Sequence, residues 1–464
     1  MHWTTKQLTI MAIVAITSFM GTFLISSVSI ALPAIEKSFG FDAVTLSWVV
    51  TAFLLAAAMF LLPVGRLADL KGIRRLFKIG VVIFTVSSLA CGLCTSGFWL
   101  IFFRYIQGIG TALTTTTGPA ILVTAFIPQY RGRVLGIAVS AVYLGLAVGP
   151  LAGGLLTELI GWRSIFFVAS AMGLLMLIAA ISFLGQDQLM DTPNKAIDLK
   201  GTLFYMLGLV ALVYGSSYIP DTAGWIMLGG GILSLITFWW FESTSANPVI
   251  ETKLFTRNRL FAYSNLAALI NYSATFAVIF LLSLYLQKIQ MLSPHEAGMV
   301  LIAQPITMAI FSPLAGRLSD YIQARYLSSL GMAMCTLGLL AFAFLSVTTS
   351  IGNIVFILIW LGLGFAFFSS PNMNTIMSSV DKTKYGLASG SAATMRVIGQ
   401  ITSMTIATLF FAVMFGDLPT AQVPNHLFIK AMKWGFISFT LISLAGIYFS
   451  YNRGKTKAEV TNTK

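Results

Sequence analysis

Charged side chains are scarce in this sequence of 464 residues. Asp, Glu, Lys and Arg together make up 9% of the chain, against about 25% in an ordinary soluble domain. Hydrophobic residues make up 57%. A soluble globule must cover itself with polar groups, so it has no use for so much apolar surface. The composition excludes an ordinary soluble protein and predicts a chain that lies in a membrane.

Cysteine and histidine are rare as well, with three residues of each type. Cys91, Cys94 and Cys335 all fall inside apolar runs, so no disulfide framework is expected. Cys91 and Cys94 have Cys-x-x-Cys spacing, but with no histidine nearby in sequence they are better explained as two small packing residues. A nucleotide-binding loop is missing too, because the Gly-rich stretch at Gly362 lacks the required Lys-Ser/Thr pair. The sequence therefore predicts no metal and no cofactor.

Acidic residues and histidines stay away from the middle of the apolar runs. All fifteen Asp and Glu residues fall in loops or at the ends of the runs, and His2, His295 and His426 lie near termini or run ends. A membrane-embedded enzyme would need paired acids, a metal cluster or a Ser/His set inside the bilayer. We therefore expect no enzymatic activity.

Long apolar runs follow one another along nearly the whole chain. The first run, 8–32, is too long for the apolar part of a signal peptide, about 7–15 residues, and is interpreted as an uncleaved first span. Each span must be a helix, because the bilayer offers no partner for backbone polar groups. A window of about 20 residues predicts about fourteen spans, near 8–33, 44–64, 76–96, 98–120, 134–157, 164–184, 200–218, 223–241, 260–287, 296–315, 326–346, 351–377, 387–415 and 427–451.

The net charge of +13 comes from basic residues clustered between the apolar runs, so a nucleic-acid partner is not expected. With the N-terminus in the cytoplasm, Lys and Arg residues on the cytoplasmic side outnumber those on the other side about four to one. Only Arg104 and Arg396 lie within spans. We predict a multi-pass protein of a bacterial cytoplasmic membrane, with both termini cytoplasmic, in contact with lipid and acting as a monomer.

The chain also has an internal repeat. The sequence GRLADLKGIRRLF begins at Gly65 between spans 2 and 3, and AGRLSDYIQAR begins at Ala315 between spans 10 and 11. Longer cytoplasmic segments at 185–199 and 242–259 bracket one pair of spans. This pattern predicts a duplicated transporter: an N-terminal six-helix bundle (1–185), two inserted linker helices (186–258), and a C-terminal six-helix bundle with a cytoplasmic tail (259–464).

The repeated loops are predicted to act as gates. Their glycines would allow helices to approach, their Asp residues would accept hydrogen bonds from a helix N-terminus, and their Arg residues would pair with acids across the bundle. A plain basic turn is the alternative, which the repeated G-R-L-x-D core disfavours. The residues assigned to the gating loops are Gly65, Arg66, Asp69, Gly72, Arg74, Arg75, Gly316, Arg317 and Asp320.

Several motifs carry a resemblance to a known family. GRLADLKGIRR, RYIQGIGTAL in span 4 and GLAVGPLAGG in span 5 are similar to motifs of the major facilitator superfamily, in its fourteen-span drug:proton antiporter branch. WRSIFF, PVIETKLFTRNR, SPHEAG and GLASG match further along, and Arg396 falls where the family carries an Arg in span 13. The resemblance covers nearly the whole chain. It implies an all-α membrane fold of two six-helix bundles plus two inserted helices, and proton-coupled efflux of amphipathic drugs or metabolites by alternating access.

Polar residues inside the spans are candidates for lining a substrate cavity. Arg104 lies several residues inside span 4, where its charge is costly unless it faces the bundle interior or a wet cavity. A structural Arg tied to backbone carbonyls is the alternative, and for the amides and hydroxyls interhelical hydrogen bonding explains the pattern equally well. The candidate set is Arg104, Gln107, Ser26, Asn265, Asn271, Tyr272, Gln304, Arg396 and Gln400.

Span 5 carries the motif that resembles the antiporter motif. Its residues are Gly145, Gly149, Pro150, Gly153 and Gly154. Small residues four apart let helices touch closely, and the proline removes one backbone hydrogen bond and kinks its helix. We expect a tightly packed seam on the outer side that seals against ion leak without contacting the transported molecule.

The sequence departs from the family at one position. The family usually carries an acid about nine residues before the Pro of its span 1 A-L-P sequence, and Leu24 stands there. The spans therefore offer two Arg residues and no central acid, so the expected substrate is neutral or anionic, with Arg104 as its anchor. Protons remain an expected partner, carried by Glu158, by Asp69 or by the substrate. A flippase or exporter of an anionic or lipid-like metabolite and a gated channel remain open alternatives.

Overall fold

A computed structural model describes residues 3–185, 198–244, 252–319, 321–380, 385–416 and 418–454. These residues form α-helices and one 3-10 turn, and no strand occurs among them. The helices are α1 (Thr5–Phe39), α2 (Ala43–Lys71), α3 (Ile73–Leu93), α4 (Gly97–Ala125), α5 (Pro128–Leu159), α6 (Arg163–Phe183), α7 (Leu199–Ser216), α8 (Thr222–Thr244), α9 (Thr252–Arg257), α10 (Arg259–Thr275), α11 (Ala277–Lys288), α12 (Pro294–Leu301), α13 (Ala303–Leu318), α14 (Ala324–Phe342), α15 (Ile351–Ser378), α16 (Tyr385–Phe415) and α17 (Asn425–Tyr451).

The expected all-α membrane fold is confirmed. Thirteen of the spans in the described ranges are long and apolar enough to cross a bilayer. The remaining predicted span is α4, which carries Arg104 and a run of threonines (Thr114–Thr117) and packs between α2 and α3. Spans 9 and 10 are each made of two helices, α10 with α11 and α12 with α13, which meet at Phe276 and Ile302.

Local sequence explains several helix ends. The Thr4 side chain accepts a hydrogen bond from the Gln7 N–H at 3.2 Å and opens α1 in a capping box. Gly72 has a φ of 94°, which a residue with a Cβ rarely adopts, and it makes the sharp turn from α2 into α3. The gating-loop motif therefore spans a helix end, a turn and a helix start.

The inserted pair, α7 and α8, lies beside the junction of the two bundles, where α7 packs against both α2 and α16. The Tyr205 hydroxyl donates to the carbonyl of Ala58 at 2.9 Å, and Trp48 Nε1 donates to Ser217 Oγ at 3.1 Å. The second helix of the pair, α8, packs against α7 and exposes large apolar side chains such as Trp225 and Trp240, as a helix that faces lipid does.

We call the side that carries the α1–α2 connection the outer side, following the predicted orientation. There the bundles are joined directly. Ser283 Oγ and Gln287 Nε2 on α11 donate to the carbonyls of Ser29 and Ile30 on α1, at 2.8 and 2.9 Å. Thr408 on α16 bonds to Ser47 on α2 at 2.8 Å. The protein is therefore closed on its outer side in this conformation.

Candidate functional site

The glycines of α5 form a close seam with α1. A Cβ added at Gly149 would lie 2.6 Å from Ser26 Cβ, and one added at Gly153 would lie 2.6 Å from Ser27 Cα. Real Cβ atoms do not approach so closely, so the α1–α5 contact requires glycine there. A Cβ added at Gly145 would overlap the Thr22 hydroxyl and the carbonyl oxygen of Phe19.

Hydroxyl groups of α1 reinforce the same seam. Thr22 and Ser27 donate to the carbonyls of Val142 and Gly149 on α5, each at 2.9 Å. Ser26 donates to the Leu146 carbonyl at 3.3 Å. That carbonyl would pair with the N–H at position 150 in a regular helix, but proline has no N–H. Ser26 thus lies in the seam and satisfies the carbonyl that Pro150 leaves free.

The other face of α5 meets the C-terminal bundle. The backbone of Pro294 lies against Gly154, and the carbonyl of Pro150 lies against Gly298 on α12, so close that a Cβ at either glycine would overlap it. The N–H of His295 donates to the Glu158 carboxylate at 3.2 Å. The antiporter motif therefore packs within one bundle on one face and between the bundles on the other.

Arg104 lies in the interior of the N-terminal bundle, with none of its surface exposed. Its Nε donates to the Val49 carbonyl at 2.8 Å and its Nη1 to Gln107 Oε1 at 2.5 Å, while its guanidinium stacks 4.4 Å from the centre of the Phe53 ring. Gln107 in turn donates to Ser88 Oγ at 2.6 Å. These bonds tie α4 to α2 and α3, which favours the structural interpretation of Arg104 over that of a substrate anchor.

A second set of polar groups comes together halfway along the spans, between the bundles. Tyr143 on α5 and Ser369 on α15 share a hydrogen bond of 2.9 Å. The Tyr272 ring packs edge-on against Phe365, with 5.4 Å between ring centres. The Arg396 guanidinium acts electrostatically on both tyrosine hydroxyls. We call Tyr143, Tyr272, Ser369 and Arg396 the mid-depth site.

The mid-depth site contains two residues that the sequence predicted and two that it missed. Tyr272 and Arg396 were predicted, whereas Tyr143 and Ser369 were not. Tyr143 comes just before the glycines of the antiporter motif, and a tyrosine inside a span was the available signal. Ser369 gave no comparable signal, because hydroxyls are common in these helices.

The remaining predicted cavity residues lie in and around the C-terminal bundle. Asn265 and Asn271 are fully buried and Gln304 is 5% exposed, while Gln400 is half-buried, one turn beyond Arg396 on α16. Asn265 donates to its own helix, to the Phe261 carbonyl at 2.9 Å. Within the described ranges the Gln304 side-chain oxygen has no hydrogen-bond partner.

The gating loops are described in part. Asp320 lies outside the described residues, and of Asp69 only the backbone, in α2, is described. A Cβ at Gly65 would meet the Thr116 methyl at 3.8 Å, an ordinary contact, so no close approach requires glycine there; at Gly316 it would lie 2.8 Å from Ser370 Oγ. The basic residues Arg66, Arg74 and Arg75 all have interaction partners, and Arg317 is exposed.

A basic residue near the C-terminal end of the described chain is buried. Arg453 is 1% exposed and enters the C-terminal bundle, where it donates to Asn372 Oδ1 at 2.7 Å and to Ser328 Oγ at 3.0 Å. It is a structural tie between helices. No group of three or more His, Cys, Asp or Glu side chains able to hold a metal occurs in the described ranges.

Comparisons with known proteins agree with this fold. The family model described as Major Facilitator Superfamily matches residues 11–404 and 265–463. The chain is 31% identical to the riboflavin transporter RibZ of Clostridioides difficile over 411 residues, which cover 88% of each chain. It is 32% identical to the multidrug resistance protein Stp of Mycobacterium tuberculosis over 389 residues, 82% of this chain and 71% of that protein.

Two further comparisons concern export and fold. The chain is 31% identical to the cephamycin export protein CmcT of Amycolatopsis lactamdurans, covering 85% of this chain and 83% of that one. In fold it resembles a bacterial homolog of the human lysosomal transporter Spinster in an inward-facing, unoccupied conformation, with a TM-score of 0.69 over 97% of this chain and 98% of that one, at 15% identity. This chain therefore belongs to the Major Facilitator Superfamily and is a secondary transporter related to proteins of drug and antibiotic export.

Proposed function

We propose that this transporter exports neutral or anionic amphipathic molecules, driven by the proton gradient, and that it binds them at the mid-depth site. The observation that carries the proposal is that Arg396, a charged residue inside a span, has no bonding partner among the described residues. Among the described residues its guanidinium has no hydrogen bond or ion pair, it is only partly buried, and it lies within electrostatic range of two tyrosine hydroxyls. A charge in a membrane span normally has a partner or a water-filled cavity. An anionic group of the substrate would be that partner.

The chemistry of the neighbouring groups favours the same class of molecule. A cation in a low-dielectric cavity needs a counter-charge, because burying an unpaired ion is costly. The mid-depth site offers one guanidinium and several hydroxyls. Guanidinium groups bind carboxylates and similar oxyanions through paired hydrogen bonds, and the tyrosine hydroxyls can donate alongside. Phe365 and the tyrosine rings supply apolar faces for the rest of an amphipathic molecule.

The location of the site supports coupling to alternating access. Tyr143 belongs to the N-terminal bundle and Ser369 to the C-terminal one, so their hydrogen bond crosses the plane along which the bundles separate. A substrate that binds both residues would favour the states in which they are close. The relatives named for cephamycin export and multidrug resistance support export, and the one named for riboflavin transport supports an organic substrate.

The remaining features of the proposal follow from sequence. Proton coupling would use Glu158, Asp69 or a protonatable substrate, since the spans have no central acid. The protein would act as a monomer in a bacterial cytoplasmic membrane, with both termini in the cytoplasm. Its units would be residues 1–185, 186–258 and 259–464. Export or flipping of an anionic, lipid-like metabolite is the alternative outcome of the same experiment.

The test begins with a thermal-shift screen of the purified protein against lipophilic cations, amphipathic anions and lipids. Ligands that stabilise it are then compared by counterflow in proteoliposomes under an imposed pH gradient. We expect anions to exchange, Arg396→Gln to slow them roughly tenfold or more through loss of a charged hydrogen bond, and Tyr143→Phe to slow them less. Arg257→Gln, an exposed arginine on α9, is the control and should behave as the parent.

Two results would decide against the proposal. Strong pH-driven uptake of a permanent cation, unaffected by Arg396→Gln, would indicate a cation antiporter. Exchange of lipids alone, with no response to soluble anions, would select the flippase.

A further inference from the structure

An arginine at the end of the molecule opposite the closed outer side is held against two aromatic rings. Arg325 lies in the first turn of α14, and its guanidinium carbon is 4.5 Å from the centre of the Tyr326 ring and 5.9 Å from that of the Tyr451 ring. Tyr451 ends α17, and the centres of the two tyrosine rings are 5.9 Å apart. Because arginine stacks on aromatic faces, these rings give the guanidinium a fixed position.

The hydrogen bonds of Arg325 leave its charge uncompensated. Its Nε donates to Gln323 Oε1 at 2.9 Å and its Nη2 to the Tyr326 hydroxyl at 2.6 Å. Both acceptors are neutral, and Nη1 has no hydrogen bond among the described residues. Helices α14 and α17 contain no Asp or Glu. The described residues at this place therefore offer a positioned cation that still has N–H groups to donate.

The two helices that carry the rings are tied together along their length. Ser329 and Ser450 share a hydrogen bond of 3.1 Å, and Thr336 donates to Ser443 at 2.8 Å. All four side chains are buried between α14 and α17. A surface formed by both helices is therefore held in one shape.

Exposed apolar side chains continue from the tyrosines toward the middle of the membrane. Leu330 follows Tyr326 one turn along α14, and Leu444 precedes Tyr451 by two turns on α17, so each leucine shares the helix face of its tyrosine. All four side chains are exposed. We call these four residues and Arg325 the α14–α17 surface. Tyrosines at the end of a span lie at the headgroup level of a bilayer, which places the leucines at the level of the acyl chains.

The chemistry of this surface fits an anionic phospholipid. A guanidinium binds phosphate oxygens through paired hydrogen bonds, and a tyrosine hydroxyl can donate alongside. Basic groups at the cytoplasmic ends of spans attract anionic lipids. A zwitterionic lipid would also bring an ammonium group, and none of the described residues of this surface is a carboxylate that could pair with it.

A second arginine at the same end of the molecule lacks this combination. Arg259 opens α10 and lies over the Tyr263 ring at 5.0 Å. Beyond Arg259, however, no residue of α10 is exposed, so no apolar face continues from this arginine toward the middle of the membrane. Arg259 therefore provides a matched control: an arginine on a tyrosine, without a place for an acyl chain.

We propose that the α14–α17 surface binds an anionic phospholipid, with Arg325 and the tyrosine hydroxyls on its phosphodiester and the leucines along an acyl chain. The surface lies on the membrane-facing side of the C-terminal bundle, whereas the mid-depth site lies between the bundles. The lipid is therefore a resident ligand of the bundle and is not the transported molecule.

The test measures the melting temperature of the purified protein in detergent with phosphatidylglycerol, phosphatidylcholine or inorganic phosphate. Phosphatidylglycerol should raise it saturably. Phosphatidylcholine, which adds an ammonium, and phosphate, which has no acyl chain, should have much smaller effects. Arg325→Gln should weaken the apparent affinity for phosphatidylglycerol roughly fivefold or more. Arg325→Lys keeps the charge and should weaken it less, and Arg259→Gln should behave as the parent.

Two additions locate the lipid and guard against a folding defect. Phosphatidylglycerol with a photoreactive acyl chain should label α14 and α17, and Arg325→Gln should reduce that labelling. Each shift in melting temperature is taken against the same variant without lipid, so a loss of stability alone does not count. If Arg325→Gln does not fold, Tyr451→Ala at an exposed helix end replaces it and should weaken binding in the same direction.

Several results would overturn the proposal. They are equal stabilisation of the parent by both lipids, stabilisation by inorganic phosphate alone, and an affinity for phosphatidylglycerol that Arg325→Gln leaves unchanged. Equal losses in Arg259→Gln and Arg325→Gln would show a diffuse attraction to basic residues and would also refute the site. Arg396→Gln separates a resident lipid from a transported one: it should leave the affinity unchanged, whereas a lipid carried at the mid-depth site would bind less tightly. The result is thus independent of whether the proposed export is correct.

Discussion

Gly298 offers a way to shift the balance between the closed and open outer side with one methyl group. It lies on α12 against the carbonyl of Pro150 on α5, and a Cβ at this position would overlap that carbonyl. The obstacle is backbone, which cannot turn aside as a flexible side chain can. Because α5 and α12 belong to different bundles, the overlap exists only while the outer side is closed. Gly298→Ala should therefore favour the outward-open state.

The size of the effect follows from the cost of overpacking. An inserted methyl in a tight contact costs about 1–3 kcal/mol. Because only the closed state carries this cost, the ratio of open to closed molecules should rise by about 5- to 150-fold. Ser47 on α2 is fully buried and bonded to Thr408 on α16, so a cysteine in its place should react with an impermeant thiol reagent only when the outer side opens. Labelling of Ser47→Cys from the outside should rise within this range, and net export should fall because the protein returns to its closed-outside state less often.

Two glycines of α5 provide matched controls. Gly149 contacts Ser26 within the N-terminal bundle, so Gly149→Ala carries a similar cost in both states and should lower thermal stability without speeding labelling. A Cβ at Gly136 has nothing within 4 Å, so Gly136→Ala should be neutral in both assays. If Gly298→Ala labels no faster than Gly149→Ala, the α5–α12 contact does not open during transport and the reasoning fails.

Three further predictions concern orientation, the gating loops and Arg104. A cysteine placed within 69–75 should be labelled only from the cytoplasm and one at Asp221 only from outside; external labelling of the first would reverse the topology. Asp69→Asn and Asp320→Asn keep side-chain size but remove a charge, so each should reduce transport with membrane insertion intact, and normal transport by both would show that these loops are not gates. Arg104→Ala removes the bonds to Val49 on α2 and to Gln107, which should lower the free energy of unfolding by about 1–3 kcal/mol and with it the melting temperature. A variant that keeps full stability but fails to bind substrate would restore Arg104 as the anchor.

Much of the fold could be predicted because each span must satisfy its own backbone and be apolar over its length. Hydropathy found even α4, although this helix carries Arg104 and a run of threonines. The glycines of α5 and Pro150 were likewise visible, since small-residue spacing is local along one helix. Ser26 was harder to assign from sequence, because a serine in a span can equally line a cavity. Its role became clear only from its hydrogen bond to the Leu146 carbonyl, which Pro150 leaves free.

The site was less predictable because its members come from different bundles. Tyr143 and Ser369 are 226 residues apart, and nothing local in sequence links them. Arg104 and Arg396 could not be told apart from the sequence. In the structure Arg104 is bonded to Val49 and Gln107, whereas Arg396 has no hydrogen bond among the described residues.

Export driven by protons is the central claim, and inverted membrane vesicles test it most directly. In these vesicles the cytoplasmic face is outside, so an exporter accumulates its substrate inside. We expect an acid-inside gradient to drive concentrative, saturable uptake of an amphipathic anion selected by the thermal-shift screen, and a proton ionophore to release it. Uptake that never exceeds the outside concentration, and that is unchanged when the pH gradient is collapsed, would contradict the account.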